Sequence, residues 1–466
     1  QGKRAEAKIG ALLARAGELW EQEWLPEIKG HLAHMEGFDV EHATMPALMA
    51  HFEDVLRRAE RLWQIHFTVA VPFLLGPSMF ADVYADLFPD AGTFGAYKLL
   101  QGLDNKTVQT GRELWKLGRA ALASPEVRRV LETEAAADVV PALERSVAGR
   151  AFLAQLDAYL NEFGRRGDKF LELAFPTWLE DPTPVIKTLK DYITQPDRDP
   201  DAELAALAAE RERLVAEARA ALAGYPQPVV GQFEHFLKAG QIGTILSEDH
   251  GYWIDFRGMY QVRRVLVEIG RRFAAAGAID RADDIFFLTV AEVRATAAAL
   301  EGADHRVIVA ARRAEMEHFS RITPPPAIGT LPPGPPPDDP IARAMGRFWG
   351  GRPQAATEPN TLRGNAGSAG VARGRARVIR SINEAHRIQP GDILVAETTA
   401  PPWTPLFATA AAVVTDTGGI LSHCAVVARE YCIPAVVGVG DATARIADGQ
   451  MIEVDGHTGL VRLLPA

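Results

Sequence analysis

The stretch Thr415-Asp-Thr-Gly-Gly-Ile-Leu-Ser-His-Cys-Ala-Val-Val-Ala-Arg-Glu-Tyr-Cys-Ile-Pro-Ala-Val-Val-Gly438 decides how the chain is read. The apolar run Ala411 to Val414 before it has the length and valine content of a buried strand. Gly418-Gly419 then lets the backbone turn sharply. Ser422 is a good N-cap, and a helix-compatible run extends from His423 to Tyr431. Pro434 stops that helix, and Ala435 to Val437 begins another strand. His423 is therefore expected just inside a helix N-terminus, after a glycine turn. Unpaired N–H groups and the helix dipole favour a bound anion there. A histidine in that place is poorly suited to be a cation and well suited to be a neutral nucleophile that accepts a phosphoryl group.

Outward from this loop, strands are expected at Ala376 to Ile379, Ile393 to Ala396, Ala412 to Thr415, Ala435 to Val437, Met451 to Val454 and Leu460 to Leu463. Short helices are expected at Ser381 to Ile388 and after His423, giving a compact α/β domain over 361–466. Thr323 to Pro340 is a polyproline-type linker, extended and semi-rigid, inside a hinge of 323–360. Residues 1–322 read as helical: Ala, Leu, Glu and Arg dominate and apolar positions recur at helical spacing. Ile285 to Leu288 is expected as a short strand or extended segment.

The 466 residues suffice for two or three domains, and a net charge of −10 argues against a nucleic-acid surface. Two cysteines exclude a disulfide scaffold and fit a reducing, cytoplasmic setting. No apolar run looks long enough to span a membrane, and Gln1-Gly-Lys-Arg opens directly into a helical pattern without a leader. No Cys/His/carboxylate spacing suggests zinc, so no metal site is expected on this chain.

The histidine stretch resembles the mobile phosphohistidine domain of the PEP-utilising enzymes: phosphoenolpyruvate synthase, pyruvate phosphate dikinase and rifampin phosphotransferase. Thr415, Gly418, Gly419, Ser422, His423, Ala428, Arg429, Glu430, Ile433, Pro434 and Gly438 carry the resemblance. It implies that His423 is phosphorylated and that Thr415, Gly418, Gly419, Ser422 and Arg429 form the loop around it. Cys424 and Cys432 depart from the Ala or Gly of that pattern. Trp403-Thr-Pro-Leu-Phe407 leans towards the rifampin branch. Phe152 to Glu180 and Leu246 to Phe287 resemble the acceptor domain of that branch and the large subunit of phenylphosphate synthase-like enzymes. The fold class implied is α+β and multi-domain: a large all-α acceptor domain joined by the Pro-rich linker to an α/β swivelling domain.

The first 300 residues lack the strands and glycine-rich loop of an ATP-grasp domain, and nothing after the histidine domain resembles a C-terminal barrel. A separate ATP-grasp partner is therefore expected to hold ATP and Mg²⁺ and to phosphorylate His423, with no cofactor held tightly by this chain. The acceptor is expected to be a small phenol, bound in the helical part. Candidate catalytic residues there are His250, Asp249 and Asp255 as bases, and Arg257 and Arg263 as phosphoryl-binding cations. On an α-helix His250, Trp253, Ile254, Arg257 and Gln261 share one face. Tyr252 and Trp253 are candidate walls for a flat substrate, with Glu248 and His66 as further contacts. An ordinary ion-pair network between packed helices, and a satisfied core histidine at His66, are the plainer alternatives. Arg165, Arg166 and Lys169 fit a solvated helix face, and His457 a surface turn. Two other functions fit the sequence: the acceptor half of a rifampin-type antibiotic phosphotransferase, and a non-enzymatic phosphocarrier.

Overall fold

The computed structural model describes residues 2–167, 171–195, 197–322, 328–330, 338–351, 356 and 358–465. Lys169 and the linker residues 323–327 and 331–337 lie outside them.

The histidine domain is built on an eight-stranded sheet in the order β1-β8-β7-β3-β4-β5-β6-β2. Its strands are β1 (Thr361–Arg363), β2 (Asn365–Ser368), β3 (Val371–Val378), β4 (Ile393–Ala396), β5 (Ala412–Thr415), β6 (Ala435–Val437), β7 (Met451–Asp455) and β8 (Leu460–Leu463). β3 to β6 run parallel, and the flanking pairs are antiparallel. Neighbouring residues alternate between the two faces of the sheet. Leu394 and Val413 meet the histidine helix side, whereas Val395 and Val414 pack with Leu362 and Val461 on the other. The expected strands all form, and β1 and β2 are added from the glycine-rich lead-in, which carried no strand pattern. The Ser381 to Ile388 segment is a 3-10 turn over Ile382–Arg387.

The histidine helix runs His423–Glu430 with Ser422 as its N-cap, the Ser422 hydroxyl accepting from Ala425 N. It ends in Tyr431 and in Cys432 at φ 53°, a left-handed position that favours glycine.

The helical part is organised around one long helix, Met45–Leu87, which buries Leu48, Phe52, Leu62, Ile65 and Val69 in its core. By length and composition this helix is apolar enough to cross a membrane, contrary to the sequence expectation, but it is the central core helix of the domain. Its neighbour is the helix Gln227–His250. The two pack backbone to backbone: a Cβ on Gly243 would stand 2.6 Å from Pro72 O, and one on Gly76 would stand 2.4 Å from Ala239 O. That approach brings His66 opposite the end of the second helix. Beyond His250 the chain continues as π-helix, Gly251–Gly258, then as α-helix Met259–Ala275. A second core, with Leu114, Phe152, Trp178 and Tyr192, fills the region between. The Ile285 segment is a 3-10 turn, Ala282–Phe287, not a strand: Asp284 caps its start by accepting from Arg281 N.

Within the expected hinge, Pro340–Trp349 is an α-helix, with Asp339 as N-cap. It joins the two domains. Arg347 donates to Ser78 O at 2.6 Å and to Asp82 Oδ1 at 2.6 Å on the long helix. Its carbonyl accepts from Leu421 N at 2.7 Å, and that of Phe348 accepts from Gly419 N at 3.0 Å. A Cβ on Gly419 would stand 2.2 Å from Arg347 O. Gly419→Ala is therefore expected to break both bonds, weaken this clasp by about 1–3 kcal/mol and speed proteolysis in the Pro-rich stretch. Unchanged cleavage would contradict the clasp.

Candidate active site

His423 stands where the two domains meet. Its Nδ1 lies 3.1 Å from Glu248 Oε2, and its Nε2 lies 3.3 Å from Thr404 Oγ1. Glu248 is buried at 5% exposure and also accepts from Thr107 Oγ1 at 2.7 Å and Ser247 Oγ at 3.2 Å. Burial by itself pushes this carboxyl up. The charge and hydrogen bond of His423, with those two hydroxyls, outweigh burial and hold it at about 2. With Glu248 ionised, the Nδ1–H of His423 donates to a carboxylate, and Nε2 is the ring nitrogen turned to Thr404.

A cavity of about 380 Å³ opens beside His423. Gly418, Ser422 and His423 line it from the loop, and Phe348 and Trp349 from the clasp helix. Phe73, His66, His250 and Asp255 form its other wall. His66 Nδ1 lies 2.9 Å from Asp255 Oδ1. His250 Nε2 lies 3.7 Å from Asp255 Oδ2, and His250 Nδ1 lies 2.6 Å from Leu246 O. His250 also stacks on Phe73, ring centroids 4.6 Å apart. Burial pushes His250 down against the pull of Asp255, and Nδ1 carries the proton donated to Leu246 O. The π-helix explains the placement: its i to i+5 repeat sets Asp255 beneath His250, a partner that α-helical spacing does not offer.

The other residues singled out from sequence go elsewhere. Asp249 accepts from Lys106 N at 2.8 Å, and burial pushes it up to about 6; it does not line the cavity. Arg257 pairs with Glu36 at 2.8 Å, and Arg263 with Glu180 at 2.9 Å. Tyr252 is buried, and its hydroxyl donates to Glu162 O at 2.7 Å. Trp253 sits among Lys29, Lys106 and Arg257 at cation–π distances of 5.0, 5.4 and 5.6 Å. Neither ring lines the cavity, whose aromatic walls are Phe73, Phe348 and Trp349. Glu248 serves His423 directly. Arg166 is buried at 1% exposure, among Trp178, Tyr252 and Phe256, and is not on a solvated face. Arg165 is half-buried beside Glu36. His457 Nε2 accepts from Gly370 N at 3.0 Å.

In the histidine loop, Gly418 takes φ 112° and lines the cavity. Thr415 is fully buried, and its hydroxyl donates to Thr417 O at 2.8 Å. Arg429 lies at the far end of the helix and donates to Gly367 O at 2.7 Å and Ile420 O at 2.9 Å, pinning the loop. Burial pushes Arg429 down to about 10. Cys424 lines the cavity, and burial pushes its thiol up to about 12. Thr404, Thr107, Ser247 and the clasp-helix aromatics carried no sequence signal apart from Thr404, which lies in the Trp403 to Phe407 stretch.

Glu430 seals the domain seam: both carboxylate oxygens lie 3.1 Å from Gly102 N. Burial, opposed by that bond and by Arg429 and Arg211, pushes it from 4.5 up to about 7. A raised carboxyl pKa favours the docked arrangement fully below about 4.5, and the favour is lost as pH rises through about 7. Small-angle scattering should therefore show the chain opening between pH 5 and 8, with a linked free energy of about 1–3 kcal/mol. Glu430→Gln should flatten that profile. An identical profile in the variant would contradict the assignment.

This geometry defines the class: a compact α/β domain docked on a helical domain with its histidine over a cavity. Comparison with known proteins agrees. Residues 67–239 match the rifampicin phosphotransferase fourth domain, and 388–459 match the PEP-utilising enzyme mobile domain. Residues 388–459 thus carry the mobile domain of the PEP-utilising enzymes. It is 43% identical to a chondramide synthase of Chondromyces crocatus, over 99% of this chain and 12% of that protein. It is 30% identical to an uncharacterized phosphotransferase of Bacillus subtilis, over 91% of this chain and 50% of the relative. It is 30% identical to a rifampicin phosphotransferase of a Streptomyces species, over 78% of this chain and 41% of the relative. The chain thus spans half or less of the length of these relatives.

Proposed function

We propose that this chain is a phosphotransferase that carries a phosphoryl group on His423 Nε2 and passes it to a hydroxyl of a small phenolic compound bound in the cavity. The observation that carries this is one arrangement: His423 on Glu248 at one side of the cavity, and His66, His250 and Asp255 at the other. The acceptor oxygen attacks phosphorus, the O–P bond forms and the P–Nε2 bond breaks. The hydroxyl proton passes to the His66–Asp255 pair, where Asp255 orients the ring as a triad carboxylate does. The electron pair of the broken bond returns to Nε2, and Glu248 keeps the proton on Nδ1, so the ring leaves as neutral imidazole and not as imidazolate. Because Glu248 belongs to the helical domain, phosphohistidine becomes a good donor only when docked. Phe73, Phe348 and Trp349 suit a flat ring, and about 380 Å³ lies towards the small end of ligand cavities, which run roughly 300–1,000 Å³. A compact acceptor fits this better than a macrocycle.

The phosphoryl group would come from ATP and Mg²⁺ on an ATP-grasp partner or segment: ATP, phenol and water give aryl phosphate, AMP and phosphate. Support comes from the family resemblance and from the greater length of the relatives. A second reading, the acceptor half of a rifampicin-type phosphotransferase, is favoured by the fourth-domain match over 67–239, which begins one residue after His66.

The reverse reaction tests the proposal. Incubating the chain with a panel of aryl phosphates should place an acid-labile phosphoryl group on His423, seen by intact mass and peptide mapping and lost in His423→Ala. No labelling by any phenolic ester, with labelling by rifampicin phosphate, would replace the phenol by the antibiotic.

A further inference from the structure

The cavity wall opposite His423 has the ingredients of a metal centre. We propose that His66, His250 and Asp255 bind one divalent first-row transition cation of the zinc or cobalt type, which holds the acceptor oxygen. Each of the three offers a ligand atom, and these atoms lie within 4.8 Å of one another.

Four observations lead there. First, the His250 Nδ1–H is committed to Leu246 O at 2.6 Å, so the lone pair of Nε2 faces Asp255 Oδ2 at 3.7 Å. At that separation the two atoms are too far apart for a hydrogen bond and near enough for one cation to bridge them. A backbone carbonyl that fixes the tautomer is also how metal-binding histidines are oriented. Second, Asp255 is 3% exposed, and among the described residues its ion-pair partners are these two histidines, with no lysine or arginine. A buried carboxylate without a full positive charge is costly, and coordination offsets that cost. Third, none of the described cavity-lining residues is lysine or arginine, so the carboxylates of Asp255 and Glu248 face the cavity with no cationic side chain among its described lining residues. Arg257 and Arg263 are taken by Glu36 and Glu180. Fourth, two imidazoles and one carboxylate suit zinc, cobalt or iron(II), not the all-oxygen shells of calcium or magnesium. Three protein ligands leave an open position towards the cavity.

Metal–nitrogen and metal–oxygen bonds of about 2.0–2.2 Å require the three ligands to draw together slightly. His66, the least buried of them, is the one able to move. The cation displaces the proton shared by His66 and Asp255. With the cation bound, His66 and Asp255 act as ligands in place of the base role given them above: the metal lowers the pKa of a bound acceptor hydroxyl, whose proton leaves to solvent while the oxyanion stays on the metal to attack phosphorus. That role, unlike the binding site itself, rests on the phosphotransfer proposed above.

Cobalt(II) is the probe. The full chain, stripped with chelator and checked by circular dichroism, should take up one equivalent and develop the visible bands of a low-coordinate site, with zinc displacing it. His250→Ala and Asp255→Asn should lose the bands, and His66→Gln should bind at least ~10-fold more weakly. His423→Asn should bind as the parent does, which separates this site from the phosphohistidine. If an Asp255 variant fails to fold, His66→Gln at the cavity surface carries the test. No stoichiometric uptake by the parent, or equal uptake by His66→Gln and His250→Ala, would overturn the proposal. A chain that binds no cobalt but still discharges phosphohistidine to a phenol would overturn the metal site alone; one that binds cobalt but never transfers would overturn only its catalytic role.

Discussion

His423→Asn should abolish phosphoryl transfer through this chain, with a loss of at least ~10³-fold, while leaving the fold intact. The proposed nucleophile opens a helix, where free N–H groups suit an anion, and no other histidine among the described residues lines the loop side of the cavity. Asparagine is chosen because its amide can still donate to Glu248 Oε2 in place of Nδ1. Leaving that buried carboxylate without the bond would cost about 1–3 kcal/mol and confuse loss of chemistry with loss of docking. The check is mass spectrometry after treatment with phosphoramidate and with aryl phosphates. A variant that still takes and passes an acid-labile phosphoryl group would place the carrier elsewhere.

Glu248→Gln should slow discharge of phosphohistidine to the acceptor by about 10²–10⁴-fold, with little effect on chemical phosphorylation of His423 by phosphoramidate. Glutamine keeps the bond from Thr107 and the shape of the site. It loses the carboxylate that holds the proton on Nδ1, the proton that lets the ring leave as neutral imidazole. Because Glu248 is held at about 2, the parent's discharge rate should show no acid limb from this group above about pH 4. Single-turnover quench experiments separate the two steps. Discharge within threefold of the parent would remove Glu248 from the mechanism.

The histidine domain was legible from sequence because local geometry fixes its positions. Gly418 needs φ 112°, Ser422 caps, Pro434 stops, and the strands are short apolar runs whose faces alternate. The acceptor wall was legible only as a set of residues. His66 and Asp255 are 189 positions apart, and nothing in either segment announces the pairing. The face drawn for His250 assumed α-helical spacing. The π-helix at Gly251–Gly258 turns Asp255 under His250 and leaves Trp253 and Arg257 away from the cavity. The arginines proposed as cations were satisfied by Glu36 and Glu180, which lie 221 and 83 positions away. The aromatic walls from Phe348 and Trp349 were hidden in a segment that the surrounding prolines marked as linker, although Asp339 and Pro340 are a helix-start signature.

The central claim is that one phosphoryl group moves from His423 to a hydroxyl in the cavity. The direct test is to phosphorylate His423 with phosphoramidate, remove the reagent, add a small phenol, and follow protein and small molecule together by rapid quench. The account predicts that phosphohistidine disappears and aryl phosphate appears one for one, at a rate that depends on the phenol and collapses in Glu248→Gln. Decay of the label to inorganic phosphate alone, at the same rate with and without any phenol, would contradict it.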